Sequence, residues 1–301
     1  MVSISVIIPS FGRPQFLEKS IQSVLDQDFE DLELIVVDDN NPHTPARTET
    51  EQIVNKFIQQ DKRVIYLKHE KNMNGAVARN TGFAVARGKY ISLLDSDDEY
   101  TFNRLRKCFE VMEKAPNSVA GVYTGCEFRR AGYTYNNYTD VKSGQFLVET
   151  LACSFMFCTG SNIFVRKSIV DELNGFDGAF LRHQDYEFLV RIFEKYSLMA
   201  IPEILVIKNN ENINLPNLEK LIAIKKQYLD KYSYIINKLP ARDINYIMHH
   251  NYINIAECAM AQKQRDIAGD YYKKAIQFGA LTVRERIRRL IFPIYNLIKN
   301  K

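Results

Sequence analysis

The sequence has no Cys-x-x-Cys pair, no apolar run long enough to cross a membrane and no glycine loop of the kind that cradles phosphates, and each absence removes a class of protein. The five cysteines, Cys108, Cys126, Cys153, Cys158 and Cys258, are odd in number and sit in apolar sequence, so they read as reduced core thiols with no zinc site and no disulfide framework. A membrane-spanning helix needs about 20 consecutive apolar residues, and none is present. The N-terminus also lacks the basic-then-apolar pattern of a secretory leader, so a cytoplasmic location is expected. A net charge of +4 is too mild to argue for a nucleic-acid partner. The histidines offer no rival centre: His249 and His250 are adjacent and point to different helix faces, and His43 and His69 fall in loops. No Ser-His-Asp order supports a hydrolase.

What is present is organised around Tyr90 to Asp98, a short apolar run that ends in three carboxylates, Asp95, Asp97 and Asp98. Like charges crowded at a strand end repel, and a divalent cation, Mn2+ or Mg2+, is the simplest reason to keep them. An Asp-rich helix cap is the alternative. Upstream, Ser3 to Pro9, Leu32 to Val37 and Val64 to Leu67 have the apolar character of buried parallel strands. Between them lie helical patterns that begin at Pro14, run from Glu49 to Gln60 and run from Asn74 to Arg87. This β-α-β alternation predicts an α/β fold with a mostly parallel, doubly wound sheet. Ligands bind beyond the carboxyl ends of such strands, where Pro9-Ser10-Phe11, Asp38-Asp39-Asn40, His69 to Asn72 and Asp95 to Asp98 converge. Downstream, Gly132 between tyrosines suggests a hairpin or loop, Thr159 to Asn162 a bend, and Gln184 to Tyr196 a helix with Leu189, Ile192 and Phe193 inward. After Asn209 four helical segments follow.

Taken in order, these motifs resemble the inverting, nucleotide-sugar-dependent glycosyltransferases of family 2, with the GT-A fold. Val6-Ile7-Ile8-Pro9 resembles the opening strand, and Val36-Val37-Asp38-Asp39 resembles the Val-Asp-Asp strand end, with Asn40-Asn41 where Gly-Ser is usual. Asn74 to Gly82 is similar to the Asn-x-Gly-x-x-x-Ala-Arg-Asn-x-Gly helix, and Asp95-Ser96-Asp97 to the Asp-x-Asp motif. Gln184-Asp185 resembles the catalytic Glu-Asp pair with Gln in place of Glu. The resemblance covers about residues 3–207.

The resemblance implies roles. Asp97 would contact the metal and Asp95 would share the ion or sit near the ribose. Asp38 would read the uracil ring of a UDP-sugar donor, with Pro9 and Phe11 lining the base pocket; the alternative for Asp38 is a helix N-cap. Arg79 could meet the diphosphate or pair with Asp95 or Asp97. Asp185 would be the base, with His183 and Gln184 near a glycan or lipid-linked oligosaccharide acceptor. The implied organisation is a catalytic domain over residues 1–210, nucleotide-binding to about 98 and acceptor-binding beyond, with a helical region over 211–301. In that region Ala256, Ala259, Ala268, Tyr271 and Ala275 resemble one tetratricopeptide-like helix pair. From Arg284 to Lys301 a basic amphipathic pattern suits either an anionic membrane surface or docking on the domain. A homo-oligomer is compatible with all of this. A nucleotidyltransferase would want a basic, Gly-rich loop where Ser10-Phe11-Gly12-Arg13 stands, and a non-catalytic scaffold would lack Asp97 or Asp185.

Overall fold

The computed structural model describes residues 2–209 and 216–287. Four strands, β1 (Ile4–Ser10), β2 (Leu32–Asp38), β3 (Val64–Lys68) and β4 (Tyr90–Leu93), run parallel in the order β3-β2-β1-β4. They are joined by α1 (Pro14–Leu25), α2 (Pro45–Gln60) and α3 (Gly75–Val85). Both faces of β1 are buried. Ile4, Val6 and Ile8 pack in one cluster with Leu17, Ile21 and Val24 of α1. Ile7 faces α3, which lies so close that a Cβ on Gly82 would sit 2.6 Å from the Ile7 side chain. That approach is why the helix carries glycine there. Asn74 starts α3 by accepting hydrogen bonds from the amides of Ala76 (2.9 Å) and Val77 (3.2 Å), an N-cap. The four strand ends therefore open on one edge.

Beyond β4 the sheet changes character. The order continues β4-β8-β6-β9-β5, built from β5 (Glu99–Tyr100), β6 (Val119–Arg130), β7 (Tyr133–Tyr138), β8 (Phe164–Arg166) and β9 (Ser197–Asn209), with β7 paired to β6. β8 is antiparallel to β4 and β6, and β9 is parallel to β6 but antiparallel to β5. The expected mostly parallel order holds for the first block, and the second is mixed. Gly132 does mark a hairpin: Ala131 (φ 49°) and Gly132 (φ 79°) both adopt the left-handed conformation that a two-residue turn needs. The helices of this half are α4 (Arg104–Lys114), α5 (Leu147–Leu151), α6 (Lys167–Glu172) and α7 (Gln184–Phe193), and a 3-10 turn at Gly160–Asn162 makes the expected bend.

The described residues divide into two compact units, one within Met1–Gln145 and Met156–Glu211, the other within Phe146–Phe155 and Asn212–Lys301. The division expected at residue 210 is thus not a single cut, because α5 belongs to the second unit. That unit contains α8 (Leu218–Lys231), α9 (Ser233–Ile236), α10 (Ala241–Ala261) and α11 (Arg265–Phe278). Backbone carbonyls of α5 accept from Tyr228 Oη (Thr150 O, 2.9 Å) and Asn251 Nδ2 (Leu151 O, 2.9 Å), which ties α5 to α8 and α10. Ala256, Ala259, Ala268 and Ala275 are fully buried in one cluster, so α10 and α11 form the expected helix pair through small side chains. No helix among the described residues is long and apolar enough to cross a membrane. Most of the basic segment from Arg284 to Lys301 lies outside the described residues.

Candidate active site

One side of the site is the end of β4. The Asp95 carboxylate accepts a hydrogen bond from Arg79 Nη2 on α3 at 2.6 Å, and its amide donates to Ser161 Oγ at 2.9 Å. Burial opposes ionisation of Asp95, but Arg79, Lys208 and Arg13 outweigh it and hold the carboxyl below its ordinary value. Asp97 Oδ2 meets Arg13 Nη1 at 2.5 Å. Its carboxyl is pushed up by burial and by the charge of Asp95. Asp98 is different in kind. It is fully buried, with Ser161 Oγ at 2.6 Å, Thr159 Oγ1 at 3.2 Å, the Asn209 amide at 3.1 Å and Lys208 Nζ at 3.6 Å. Burial, opposed by Lys208 and aided by Asp95 and Asp97, raises it to about 7. Asp98 therefore locks the end of β4 to β9 and the 3-10 turn.

The opposite side is a loop hung on α3. Asn80 Nδ2 donates to Phe176 O, and the Phe176 amide donates to Asn80 Oδ1, both at 2.8 Å. Gly175 (φ +66°) brings the loop so close that a Cβ there would lie 2.4 Å from Asn80 Oδ1. Phe176 stacks on Phe188 of α7 (4.6 Å) and Phe83 of α3 (5.9 Å). Asn74 Nδ2 also donates to Gly178 O at 3.2 Å. The loop ends at His183, whose left-handed φ of 59° turns the chain into α7. Asp185, half-buried at the start of α7, accepts from the Tyr186 amide at 3.0 Å. Burial raises its pKa, and the Tyr186 amide and Arg79 pull it back only in part. Gln184 Oε1 accepts from Arg79 Nη1 at 3.1 Å, so Arg79 bridges Asp95 and the start of α7.

Asp95, Arg79, His183, Gln184 and Asp185 line one cavity with Phe176. Asp97 lines a neighbouring one with Phe16, Lys19 and Glu99. Pro9 is half-buried in β1, and Phe11 is 53% exposed. Asp38 faces the interior: Asn40 Nδ2 (2.8 Å), the Asn40 amide (2.9 Å), Tyr66 Oη (2.6 Å) and Arg47 Nε (3.3 Å) surround its oxygens. It caps no helix; Thr44 is the N-cap of α2. Asp38 instead shapes the loop, because Asn40 Oδ1 accepts from the Gly12 amide at 2.8 Å. Sequence reading missed Arg13, Asn80, Ser161 and Lys208. Asn80 and Arg13 stood inside quoted motifs, whereas Ser161 and Lys208 reach the site only through the antiparallel half of the sheet.

No group of three metal-ligating side chains occurs among the described residues. Asp95 and Asp97 are close enough for the charge of one to raise the pKa of the other. Two carboxylates completed by substrate phosphate oxygens are the donor set that suits Mg2+ or Mn2+, so these residues fit such an ion.

Comparison with known proteins places this geometry. Residues 5–173 match the model of glycosyl transferase family 2. An uncharacterized glycosyltransferase of Methanocaldococcus jannaschii is 30% identical over 237 residues, 77% of each chain. A GalNAc(5)-diNAcBac-PP-undecaprenol beta-1,3-glucosyltransferase of Campylobacter jejuni is 28% identical over 184 residues, 58% of this chain and 57% of that one. Among solved structures, S. aureus TarS 1-349 in complex with UDP-GlcNAc matches with a TM-score of 0.58 at 14% identity, over 97% of this chain and 91% of that one. The mannosyltransferase PcManGT from Pyrobaculum calidifontis in complex with GDP-Man and Mn2+ matches with 0.59 at 16% identity, over 99% and 86%. At those identities the structures show the α/β GT-A fold alone. On the family match, with the site at the carboxyl ends of its strands, the chain belongs to glycosyl transferase family 2 and is a glycosyltransferase.

Proposed function

We propose that this enzyme moves a hexose or N-acetylhexosamine from a UDP-sugar, with inversion, to a hydroxyl of a glycan acceptor carried on a lipid. The observation that carries the reading is the single cavity shared by Asp95, Arg79 and Asp185. Inversion in one displacement needs a base on the acceptor side and no nucleophile, and Asp185 is a carboxylate with a raised pKa that can take the hydroxyl proton. Glu187, one turn-position away, is not available: it is fully buried and paired with Arg191 at 2.7 Å. Gln184 lies between Arg79 and the Phe180 carbonyl (2.8 Å), so it orients the arginine and Asp185 alone carries the proton. Arg79 presents a guanidinium beside the position a diphosphate would take and can hold two of its oxygens. Pro9 and Phe11 would flank the base, in a pocket whose floor Asp38 sets through Asn40. UDP is taken as the nucleotide on the family resemblance; the TarS neighbour binds UDP-GlcNAc and PcManGT binds GDP-Man, so a comparison of UDP- and GDP-sugars tests this choice, and the printed activity of the C. jejuni relative supports a lipid-linked acceptor.

Asp97 and Asp95 would hold Mn2+ or Mg2+, which supplies positive charge to the departing diphosphate. Calorimetry tests this directly. UDP should bind with Mn2+ and bind poorly with chelator, and Asp97→Ala should lose that difference while its thermal melt stays cooperative. Equal UDP affinity for the unmodified enzyme with chelator and with Mn2+ would overturn the metal assignment.

A further inference from the structure

Each carboxylate of Asp95-Ser96-Asp97 has its own arginine, and the two arginines are built differently. Arg79 is 13% exposed and fixed from several sides: Asp95 at 2.6 Å, Gln184 at 3.1 Å, Gly75 O at 3.2 Å and the Phe176 ring at 5.5 Å. Arg13 is 42% exposed, and Asp97 is its only side-chain partner among the described residues. It stands on the turn between β1 and α1, after Gly12 (φ +72°), where the Asn40 side chain fixes the backbone and, among the described residues, Asp97 is the side chain that holds the guanidinium. The pairing also sets where Asp97 points. With its Oδ2 on Arg13, Asp97 lines the cavity beside Phe16, Lys19 and Ser20 of α1 and not the one that Asp95 and Asp185 share.

We infer that Arg13 is an exchangeable counter-cation: it holds Asp97 toward α1 until a divalent ion takes the carboxylate, and its guanidinium then passes to the nucleotide diphosphate. This rests on the metal and donor reading above. The logic is electrostatic. A guanidinium on Oδ2 and a divalent ion compete for the single negative charge of the Asp97 carboxylate, and each repels the other when both sit on it. A half-exposed ion pair contributes little on its own, so it opposes the ion without locking it out. The charge it releases is of the sign the diphosphate needs, and an arginine fork matches phosphate oxygens. Metal alone should therefore bind weakly, metal with nucleotide strongly, and Arg13 should account for much of the gap.

The test uses the full chain and reads Mn2+ binding rather than turnover. Free Mn2+ is followed by electron paramagnetic resonance in the absence of nucleotide, for the unmodified protein, Arg13→Ala, Arg13→Lys and Lys19→Ala. UDP affinity is then measured at saturating Mn2+. Arg13→Ala is expected to bind Mn2+ alone about tenfold more tightly and UDP about tenfold more weakly, the scale of one charge-assisted contact. Arg13→Lys should fall between. Lys19→Ala removes a cation from the same cavity wall that does not pair with Asp97, so it should leave Mn2+ binding unchanged. Unchanged or weaker Mn2+ binding by Arg13→Ala overturns the proposal, and so does an equal gain in Lys19→Ala, because the effect would then be general charge. Failure of the underlying reading looks different: no Mn2+ binding by any of these proteins, even with UDP, removes the metal site itself and the exchange with it.

Discussion

Asp95, Asp97 and Asp98 reach the site from the end of a buried strand, whereas Asp185 reaches it from a loop whose hold on α3 runs mainly through Asn80. The strand-end side is redundant at Asp95 and Asp98, while the Asp97 carboxylate rests on Arg13. Asp98 alone has Ser161, Thr159, Asn209 and Lys208 around it, and Asp95 has both Arg79 and Ser161. The acceptor side depends on two reciprocal 2.8 Å hydrogen bonds between Asn80 and Phe176, one further bond from Asn74, hydrogen bonds from Arg191 of α7 to Leu173 O (2.6 Å) and Gly175 O (2.8 Å), and a stack of rings. The difference suits the two tasks. Gathering anionic groups around a diphosphate needs a rigid, over-determined cradle, since each carboxylate resists its neighbour. Under the proposed reading, admitting a glycan and aiming the proposed base at its hydroxyl suits a loop held at a few points, of which Asn80 is the one on α3 with two bonds.

The sharpest way to break this comparison is to remove the proposed proton acceptor, Asp185. Asp185→Asn keeps a side-chain oxygen that can accept from the Tyr186 amide, so the melting temperature should barely change. Turnover should fall by roughly a hundredfold or more, because the amide cannot take the proton. UDP affinity should be unchanged. The pH dependence follows from the raised pKa of Asp185. The base works ionised, so turnover in the unmodified enzyme rises with pH along an acid limb whose midpoint lies above 3.8, the ordinary carboxyl value, and is lost as pH falls through it. Asp185→Asn should lack that limb. A variant keeping more than a tenth of turnover on its true acceptor would remove Asp185 as the base.

A smaller effect is expected from the anchor. Asn80→Ala leaves the Phe176 amide and carbonyl without partners, at a cost of about 1–3 kcal/mol. The catalytic loop should loosen, and turnover should fall by about tenfold, the lower part of the range for lost positioning. UDP affinity at saturating Mn2+ should stay within about twofold, because Asn80 touches no donor-side carboxylate. Steady-state kinetics with calorimetry separates the two numbers. If nucleotide affinity falls as far as turnover, the two sides are one cooperative unit and the comparison fails.

The same contrast explains what the sequence makes legible. The parallel block is readable because buried parallel strands are continuous apolar runs, and each ends where polarity begins, at Ser10, Asp38 and Asp95. The loop from Asn174 to His183 is readable only through Gln184-Asp185 just after it, since Asn80 is 96 positions away from the backbone it clamps. β5, two residues long, and α6 fall below the length at which periodicity is informative. Asp38 shows the limit from the other side: its place at a strand end is legible, but whether its oxygens face a ligand or Asn40, Tyr66 and Arg47 is set by tertiary contacts. In the helical unit, Thr282-Val283-Arg284-Glu285 is a capping box that pattern reading could have found. The Thr282 amide donates to Glu285 Oε2 at 2.7 Å, and the Glu285 amide to Thr282 Oγ1 at 3.3 Å.

The smallest effect should come from thinning the redundant side by one group. Thr159 Oγ1 donates to Asp98 at 3.2 Å and accepts from Lys208 Nζ at 3.2 Å, and it is almost fully buried. Thr159→Val replaces the hydroxyl by a methyl of similar volume. Asp98 keeps Ser161, the Asn209 amide and the Lys208 charge, so no buried carboxylate is orphaned. Lys208 keeps its attraction to Asp98, Asp95 and Asp97, the charges that raise its pKa against burial. The loss is then one hydrogen bond to Asp98, one from Lys208 and a long one from the Ser161 amide (3.4 Å), about 1–3 kcal/mol of stability. Asp95 is still held by Arg79 and Ser161, so its position relative to the diphosphate should not move. UDP affinity and turnover should both remain within about twofold of the unmodified enzyme, the scatter expected for a contact that touches no ligand. Chemical denaturation and UDP calorimetry on the same preparation check the pair of values. A tenfold loss of UDP affinity with a stability change under about 1 kcal/mol would show that the donor cradle is tuned to a single geometry, with no reserve for one lost partner.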